Sequence, residues 1–350
     1  MKIGIFTDVH WSVTTSILRS KESDYSTRLK LLIKGMNWAN DLFESLGCRA
    51  AVCAGDFFDK SACTDEELTS VKEIKWKVPT CFIVGNHESS RADLFVSSTS
   101  ALDKPWIVPG FVTMDTNVIW KPVTINYNDI QFFFVPYVVE SDRKPLIEYL
   151  EGYDPSKKHV IFSHNDLKDV RYGPFLNTTG FSINEIESCA DLYLNGHIHN
   201  GQWISSKILD LGSMTAQNFT NPSDTYRYGV WVLDTDTLEM TFYENPYSLN
   251  FYKFDIDSES QLSLIDTVKP NAILSIHCLE TLKEKLLAKL DTQKNILLQR
   301  VSYYNIASDT GETTECTLTK SDHLEQFRNY ILDTLGTTNA IKEELNEICR

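Results

Sequence analysis

Short runs of apolar residues, each closed by a polar cluster, constrain this chain more than any other feature. They are KIGIFT before Asp8, AAVCA before Gly55, TCFIV before Gly85, HVIFS before His164 and LYLN before Gly196. Runs that are apolar almost throughout are what central strands covered on both faces look like. Between the first two, Leu29, Leu32, Ile33, Met36, Ala39, Asn40 and Phe43 recur at helical spacing on a stretch that ends at Gly47. Strand, helix and strand in that order predict an α/β layered fold. Residues 130–139, 207–213 and the hairpin-like 228–244 add strands without intervening helices, which predicts a second, more antiparallel sheet. The expected architecture is a two-sheet β-sandwich flanked by helices.

After about Pro246 the texture changes. FYKFDI, a helical SESQLSLIDTV, ILSIHCL, an amphipathic LETLKEKLLAKLDTQK and ILLQRVSYYNI read as a small α/β unit. The tail offers two helices, one with Leu324, Phe327, Ile331 and Leu335 on a face, the other with Ile341, Leu345 and Ile348. The divisions drawn are therefore 1–245, 246–320 and 321–350. With 42% hydrophobic and 23% charged residues the chain is neither disordered nor collagen-like. Its 33 Lys+Arg against 48 Asp+Glu, net −15, exclude a simple basic nucleic-acid clamp. Eight scattered cysteines without a CxxC pair read as buried free thiols in a reducing compartment. No leader-like N-terminus and no run of 18 apolar residues occurs, so a cytoplasmic location without a membrane span is expected.

The polar clusters are Asp8-x-His10, Gly55-Asp56-x-x-Asp59, Gly85-Asn86-His87-Glu88, His164 and Gly196-His197-x-His199. Ligand sites of open α/β sheets gather outside the carboxyl ends of strands, so these clusters are expected to converge on one crevice. Carboxylate, imidazole and amide oxygen together, with no thiolate, suit a divalent ion such as manganese. The i, i+2 spacing of Asp8 with His10 and of His197 with His199 puts both side chains on one side of an extended backbone, so that two ligands can reach one metal centre. A single DxH or GHxH is weak evidence, because a capped strand end looks the same. The whole ordered set is not readily assembled by accident.

These residues resemble the calcineurin-like metallophosphoesterase superfamily, whose ordered motifs are DxH, GDxxD, GNH followed by an acid, a lone H, and GHxH. The resemblance covers about residues 1–245. It implies that Asp8, His10, Asp56 and His199 hold one metal and that Asp56, Asn86, His164 and His197 hold the other, with Asp56 bridging. It further implies a shared water activated for in-line attack on phosphorus, His87 as the catalytic histidine that protonates the leaving oxygen, and Asp59 as a residue that orients a ligand.

GDFFDKS and IVGNHESS lack the arginines with which phosphoprotein phosphatases extend these motifs. GDFFD, with an aromatic before its last Asp, and the N-terminal placement of DxHW are similar to the SbcD family of double-strand-break repair nucleases. That resemblance implies a manganese-dependent DNA nuclease, less active with magnesium, cutting as a double-strand exonuclease and single-strand endonuclease in recombination, repair or end processing. It implies an SbcC-like coiled-coil ATPase as partner, a capping domain in residues 246–320 and tail helices that dock on the ATPase; a homodimer stays open. Arg19, Lys21, Arg28 and Lys30 after Trp11, and Arg91 beside the site, are candidates for a phosphate path. The alternative within the superfamily is a small-molecule or cyclic-nucleotide phosphodiesterase with the C-terminal unit as a lid. A scaffold with a degenerate site is disfavoured, because no ligand position is missing.

Overall fold

The computed structural model describes residues 1–13, 24–90, 93–172, 175–220 and 223–305. Its front part contains β1 (Lys2–Phe6), α1 (Thr27–Ser45), β2 (Cys48–Cys53), α2 (Asp65–Val71), β3 (Thr80–Ile83), β4 (Val118–Ile119), β5 (Val123–Tyr127), β6 (Ile130–Val135), β7 (Lys158–Ser163), α3 (Ile183–Cys189), β8 (Leu192–Asn195), β9 (Gln202–Trp203), β10 (Ile208–Asp210), β11 (Gly229–Asp234) and β12 (Glu239–Glu244). Two six-stranded sheets result, ordered β12-β11-β1-β2-β3-β4 and β9-β10-β8-β7-β6-β5.

Successive side chains of a strand point to opposite faces, and here both faces are covered. Inward, Ile3, Ile5, Val52 and Ile83 form one buried cluster with Phe132, Phe134, Val160, Phe162 and Leu194. Outward, Phe6, Ala51, Cys53 and Phe82 pack with Leu29, Leu32, Met36, Ala39 and Phe43 of α1. On the other side Phe133, Val135, Ile161 and Tyr193 pack with Ile186 and Cys189 of α3. Burial on both faces is why these strands read as unbroken apolar runs. Helix α1 starts where Ser26 Oγ accepts the Leu29 N–H at 3.2 Å, an N-cap that satisfies an otherwise orphaned donor.

The second sheet is not the antiparallel one expected. Strands β6–β7, β7–β8 and β8–β10 pair in parallel, and only the edge strands β5 and β9 pair antiparallel. The hairpin β11–β12 instead extends the first sheet, through antiparallel pairing of β11 with β1. Parallel neighbours need a long crossover, but not a helical one. From β6 to β7 it is made with the 3-10 turns Glu140–Asp142 and Leu146–Tyr149, which leave no helical periodicity to read.

Residues 250–304 add a third sheet, all parallel, from β13 (Asn250–Ile256), β14 (Ala272–Leu279) and β15 (Ile296–Tyr304), with α4 (Lys283–Asp291). Its own core holds Tyr252, Ile256, Leu274, Ile276, Leu286 and Leu290. The segment expected as an α-helix is a 3-10 helix, Glu259–Thr267. Its buried Leu262 and Ile265, followed by buried Val268, recur every third residue, the period at which 3-10 side chains eclipse. The boundary drawn at 245/246 falls in the turn before β13. Phe251 and Ile273 pack with Ala216, Tyr228 and Leu249 of the front part, and Met1–Asn305 is one compact unit. The tail helices expected after 321 lie outside the described residues. Among the described residues Cys48, Cys53, Cys63, Cys81, Cys189 and Cys278 are free thiols, and no helix is long and apolar enough to cross a membrane.

Candidate metal centre

The chain leaves β1, β2, β3, β7 and β8 through the polar clusters, and the backbone there is not extended. Asp8, His10, Asp56 and His197 have φ of 49°, 48°, 48° and 73°, in the left-handed region. Such conformations cost of order 1–3 kcal/mol each for a non-glycine residue and concentrate at functional sites. They are held by Asp8 N–H donating to Gly55 O at 3.1 Å, His10 N–H to Asp56 O at 3.1 Å and Trp11 N–H to Phe57 O at 2.7 Å. Around His197, Ile198 N–H donates to Gly196 O at 2.9 Å. That tight turn sends His197 and His199 into different clusters, whereas Asp8 and His10 share one. The extended backbone expected between the members of each pair is thus corrected: left-handed residues carry them to the one centre.

Two glycines make room for the converging side chains. Gly55 has φ +105°, and a Cβ there would lie 2.0 Å from His164 Nδ1; one on Gly85 would lie 2.1 Å from Asp56 Oδ1. Neither position accepts a side chain without moving a candidate ligand.

All the candidate ligands come together. Ligand atoms of Asp8, His10 and His199 lie within 4.8 Å of one another, as do those of Asp56, His164 and His197. In the first cluster His10 Nε2 is 3.0 Å from His199 Nε2, and Asp8 Oδ1 is 3.6 Å from His199 Nε2. In the second, Asn86 Oδ1 is 2.9 Å from His197 Nδ1 and 3.2 Å from His164 Nε2. Asp56 Oδ2 sits between the clusters, 3.1 Å from His164 Nε2 and 3.9 Å from His10 Nε2. Its other oxygen is used elsewhere, accepting the His87 N–H at 3.0 Å.

The outer nitrogens decide what the inner ones can do. His10 Nδ1 faces Asp59 Oδ1 at 2.9 Å, His164 Nδ1 faces Ala54 O at 2.7 Å, and His197 Nε2 faces Asp166 Oδ1 at 3.3 Å. Each outer nitrogen donates its hydrogen to an oxygen, so the inner nitrogen can offer a lone pair. Asp8 Oδ2 accepts from Thr7 Oγ1 at 2.7 Å and His197 N–H at 3.1 Å, while Oδ1, fully buried, has no hydrogen-bond partner among the described residues. Imidazole nitrogens, an amide oxygen and carboxylates turned toward one another, around an orphaned buried carboxylate oxygen, are the donor set of divalent cations, and the residues fit such ions.

Electrostatics follow from the same contacts. Burial alone would raise the Asp56 carboxyl, yet the neighbouring His164 and His10 hold it well below the usual carboxylate range. Burial opposes charge on His10, but its hydrogen bonds to Asp59 and Asp8 hold it up at about 10. Burial likewise opposes charge on His164, and Asp56 holds it up at about 9. Burial pushes His199 down to about 4.

His87 differs from the buried ligands in exposure, although its ligand atom lies within 4.8 Å of those of His10 and Asp56. It is exposed, its Nδ1–H donates to Asp59 O at 3.0 Å, and its ring meets the His10 ring edge-on at 4.7 Å. Asp59 therefore touches both His10 and His87. One residue was missed in the sequence, and another was quoted there without a role. Asp166, which orients His197, stands two positions after His164, and that spacing was the available signal. Glu88 is buried and accepts the Phe58 N–H at 3.0 Å and the Gly85 N–H at 2.9 Å, tying together the turns after β2 and β3; burial pushes it up to about 7.

Of the proposed phosphate path, Arg28 is not in an exposed loop. It is buried in the first turn of α1, because its guanidinium donates to backbone carbonyls near the site. Lys30 is exposed on the same helix. Arg19, Lys21 and Arg91 lie outside the described residues.

A helix-flanked double sheet with a polynuclear donor set at its strand ends defines a class of metal-dependent hydrolases. The sequence profile of the family "Calcineurin-like phosphoesterase" matches residues 1–201. The chain belongs to that family. It is 24% identical over 212 residues to "Probable exonuclease subunit 1" of Escherichia phage T5, covering 59% of this chain and 58% of that protein. It is 23% identical over 174 residues to a protein of Invertebrate iridescent virus 3 that carries a phosphoesterase name, covering 48% of each. The chain thus spans about half the length of these relatives. Among solved structures, a dimetal phosphatase from Danio rerio aligns with a TM-score of 0.40 at 12% identity, over 66% of this chain and 91% of that one.

Proposed function

We propose that this chain is a DNA nuclease subunit with two cations, one held by Asp8, His10, Asp56 and His199, the other by Asp56, Asn86, His164 and His197. The observation that carries the reading is the ring of inner donors, three of its four imidazoles aimed by an outer partner, around one shared buried carboxylate. When bound, the cations supply a hydroxide nucleophile at neutral pH and positive charge for the phosphoryl oxygens. Asp56 offsets the repulsion between them with its negative charge. Asp59 and Asp166 fix the rings of His10 and His197. His87, with Nδ1–H tied to the Asp59 carbonyl, carries the proton that Nε2 gives to the leaving oxygen.

DNA as substrate is supported by the likeness to the phage T5 protein named as an exonuclease subunit and by the aromatic GDFFD motif. The net charge of −15 leaves phosphate affinity to the cations and to a partner, an SbcC-like coiled-coil ATPase. Manganese suits four imidazoles better than magnesium does. The test compares, in manganese and in magnesium, hydrolysis of a linear duplex, bis-p-nitrophenyl phosphate and cyclic nucleotides. Duplex degradation, faster in manganese and faster again with the ATPase, is the expected result. Turnover of cyclic nucleotides with an intact duplex would replace this reading with a small-molecule phosphodiesterase.

A further inference from the structure

Arg28 is placed where elementary electrostatics disfavours it. It is 1% exposed, with Nε and Nη1 lacking partners among the described residues, and burial lowers it to about 10. It also sits in the first turn of α1, where the helix dipole repels a cation. An arrangement this costly persists only where something compensates.

The compensation lies in three successive carbonyls. Arg28 Nη2 gives one of its two hydrogens to Gln217 Oε1 at 2.5 Å and shares the other between His10 O at 3.1 Å and Val9 O at 3.5 Å. Gln217 Nε2 in turn donates to Asp8 O at 3.1 Å and to Thr215 O at 3.1 Å. The backbone oxygens of Asp8, Val9 and His10 are therefore all gripped by one side-chain pair. This is the stretch in which two of three residues take left-handed φ, 49° and 48°, with a candidate ligand at each end. A left-handed residue relaxes when its surroundings allow, and relaxation here would swing the Asp8 and His10 side chains away from His199.

We propose that Arg28 and Gln217 form a clamp that fixes the left-handed backbone of residues 8–10, and that Arg28 is a positioning residue for the cation bound by Asp8, His10 and His199. The inference rests on the two-cation reading above. It assigns a role to residues outside the five motifs, and it makes the two cation sites unequal: the clamp touches the backbone of one ligand set only.

The test is manganese binding by calorimetry and electron paramagnetic resonance on the full chain, for wild type, Arg28→Met, Arg28→Lys and Gln217→Leu. Wild type is expected to bind two ions with a spin-coupled spectrum. Arg28→Met and Gln217→Leu are expected to weaken one ion about 10- to 100-fold, the range for losing a residue that orients ligands. The other ion stays bound, and the coupled signal gives way to that of a single ion. Arg28→Lys, which keeps a buried donor, is expected to recover part of the loss. If Arg28→Met does not fold, Gln217→Leu alone decides. Two ions bound with wild-type affinity in either variant, or equal weakening of both ions, overturns the clamp. A wild type that binds no pair of ions overturns the two-cation reading instead.

Discussion

At the scale of single residues, His10 and His164 are held ready to carry a proton where the proposed reading places a cation. His10 and His164, held up at about 10 and 9, carry charge at neutral pH when no cation is bound. Because both lie above the ordinary 6.5, their contribution to stability is complete below about pH 6.5 and is lost as pH rises through 9 to 10. A cation must displace those protons. Manganese binding near pH 7.5 is therefore expected to release protons and to tighten as pH rises, measured by calorimetry in two buffers of different ionisation enthalpy. Binding without proton release would remove His10 and His164 from the ligand set. His87 behaves differently: His87→Ala should keep both ions while turnover falls about 10²- to 10⁴-fold, the usual worth of a proton donor. Loss of an ion in that variant, by elemental analysis, would make His87 a ligand. Asp8, His10, Asp56 and the other ligands were legible as residue types in order. Asp166 and the buried Arg28 were not, since their roles depend on partners distant in sequence, His197 and Gln217.

At the scale of elements, the site depends on turns tighter than strands. Gly55 and Gly85 admit His164 and Asp56 only because they lack a Cβ. Gly55→Ala should push His164 aside and strain a backbone at φ +105°, lowering manganese affinity well beyond the effect on thermal unfolding. A variant with wild-type affinity would show that His164 tolerates displacement. The central strands and α1 were legible because burial on two faces, or on one stripe, writes itself into local sequence. The parallel pairing of β6 and β10, and the sheet to which the β11–β12 hairpin belongs, were not. Pairing is a nonlocal property, and the 3-10 crossovers carry none of the periodicity that marks a βαβ unit. The left-handed φ at Asp8 and His10 was equally hidden, because neither residue is a glycine.

At the scale of the whole molecule, a chain of net charge −15 gathers several imidazoles and carboxylates at one edge of a double sheet, where the proposed reading has a polyanion cut. In that reading cations would reconcile charge and substrate, since a pair of dications would add four positive charges where the scissile phosphate is placed. The third sheet packs onto the front part through Phe251 and Ile273, so the compact unit reaches past the length matched by the family profile. Everything proposed about catalysis rests on that pair of ions. The most direct measurement is anomalous scattering at the manganese edge from crystals grown with manganese. Two peaks about 3.5–4 Å apart are expected, one against Asp8, His10 and His199, the other against Asn86, His164 and His197, with Asp56 between them. A single peak, or peaks away from Asp56, would contradict the two-cation centre.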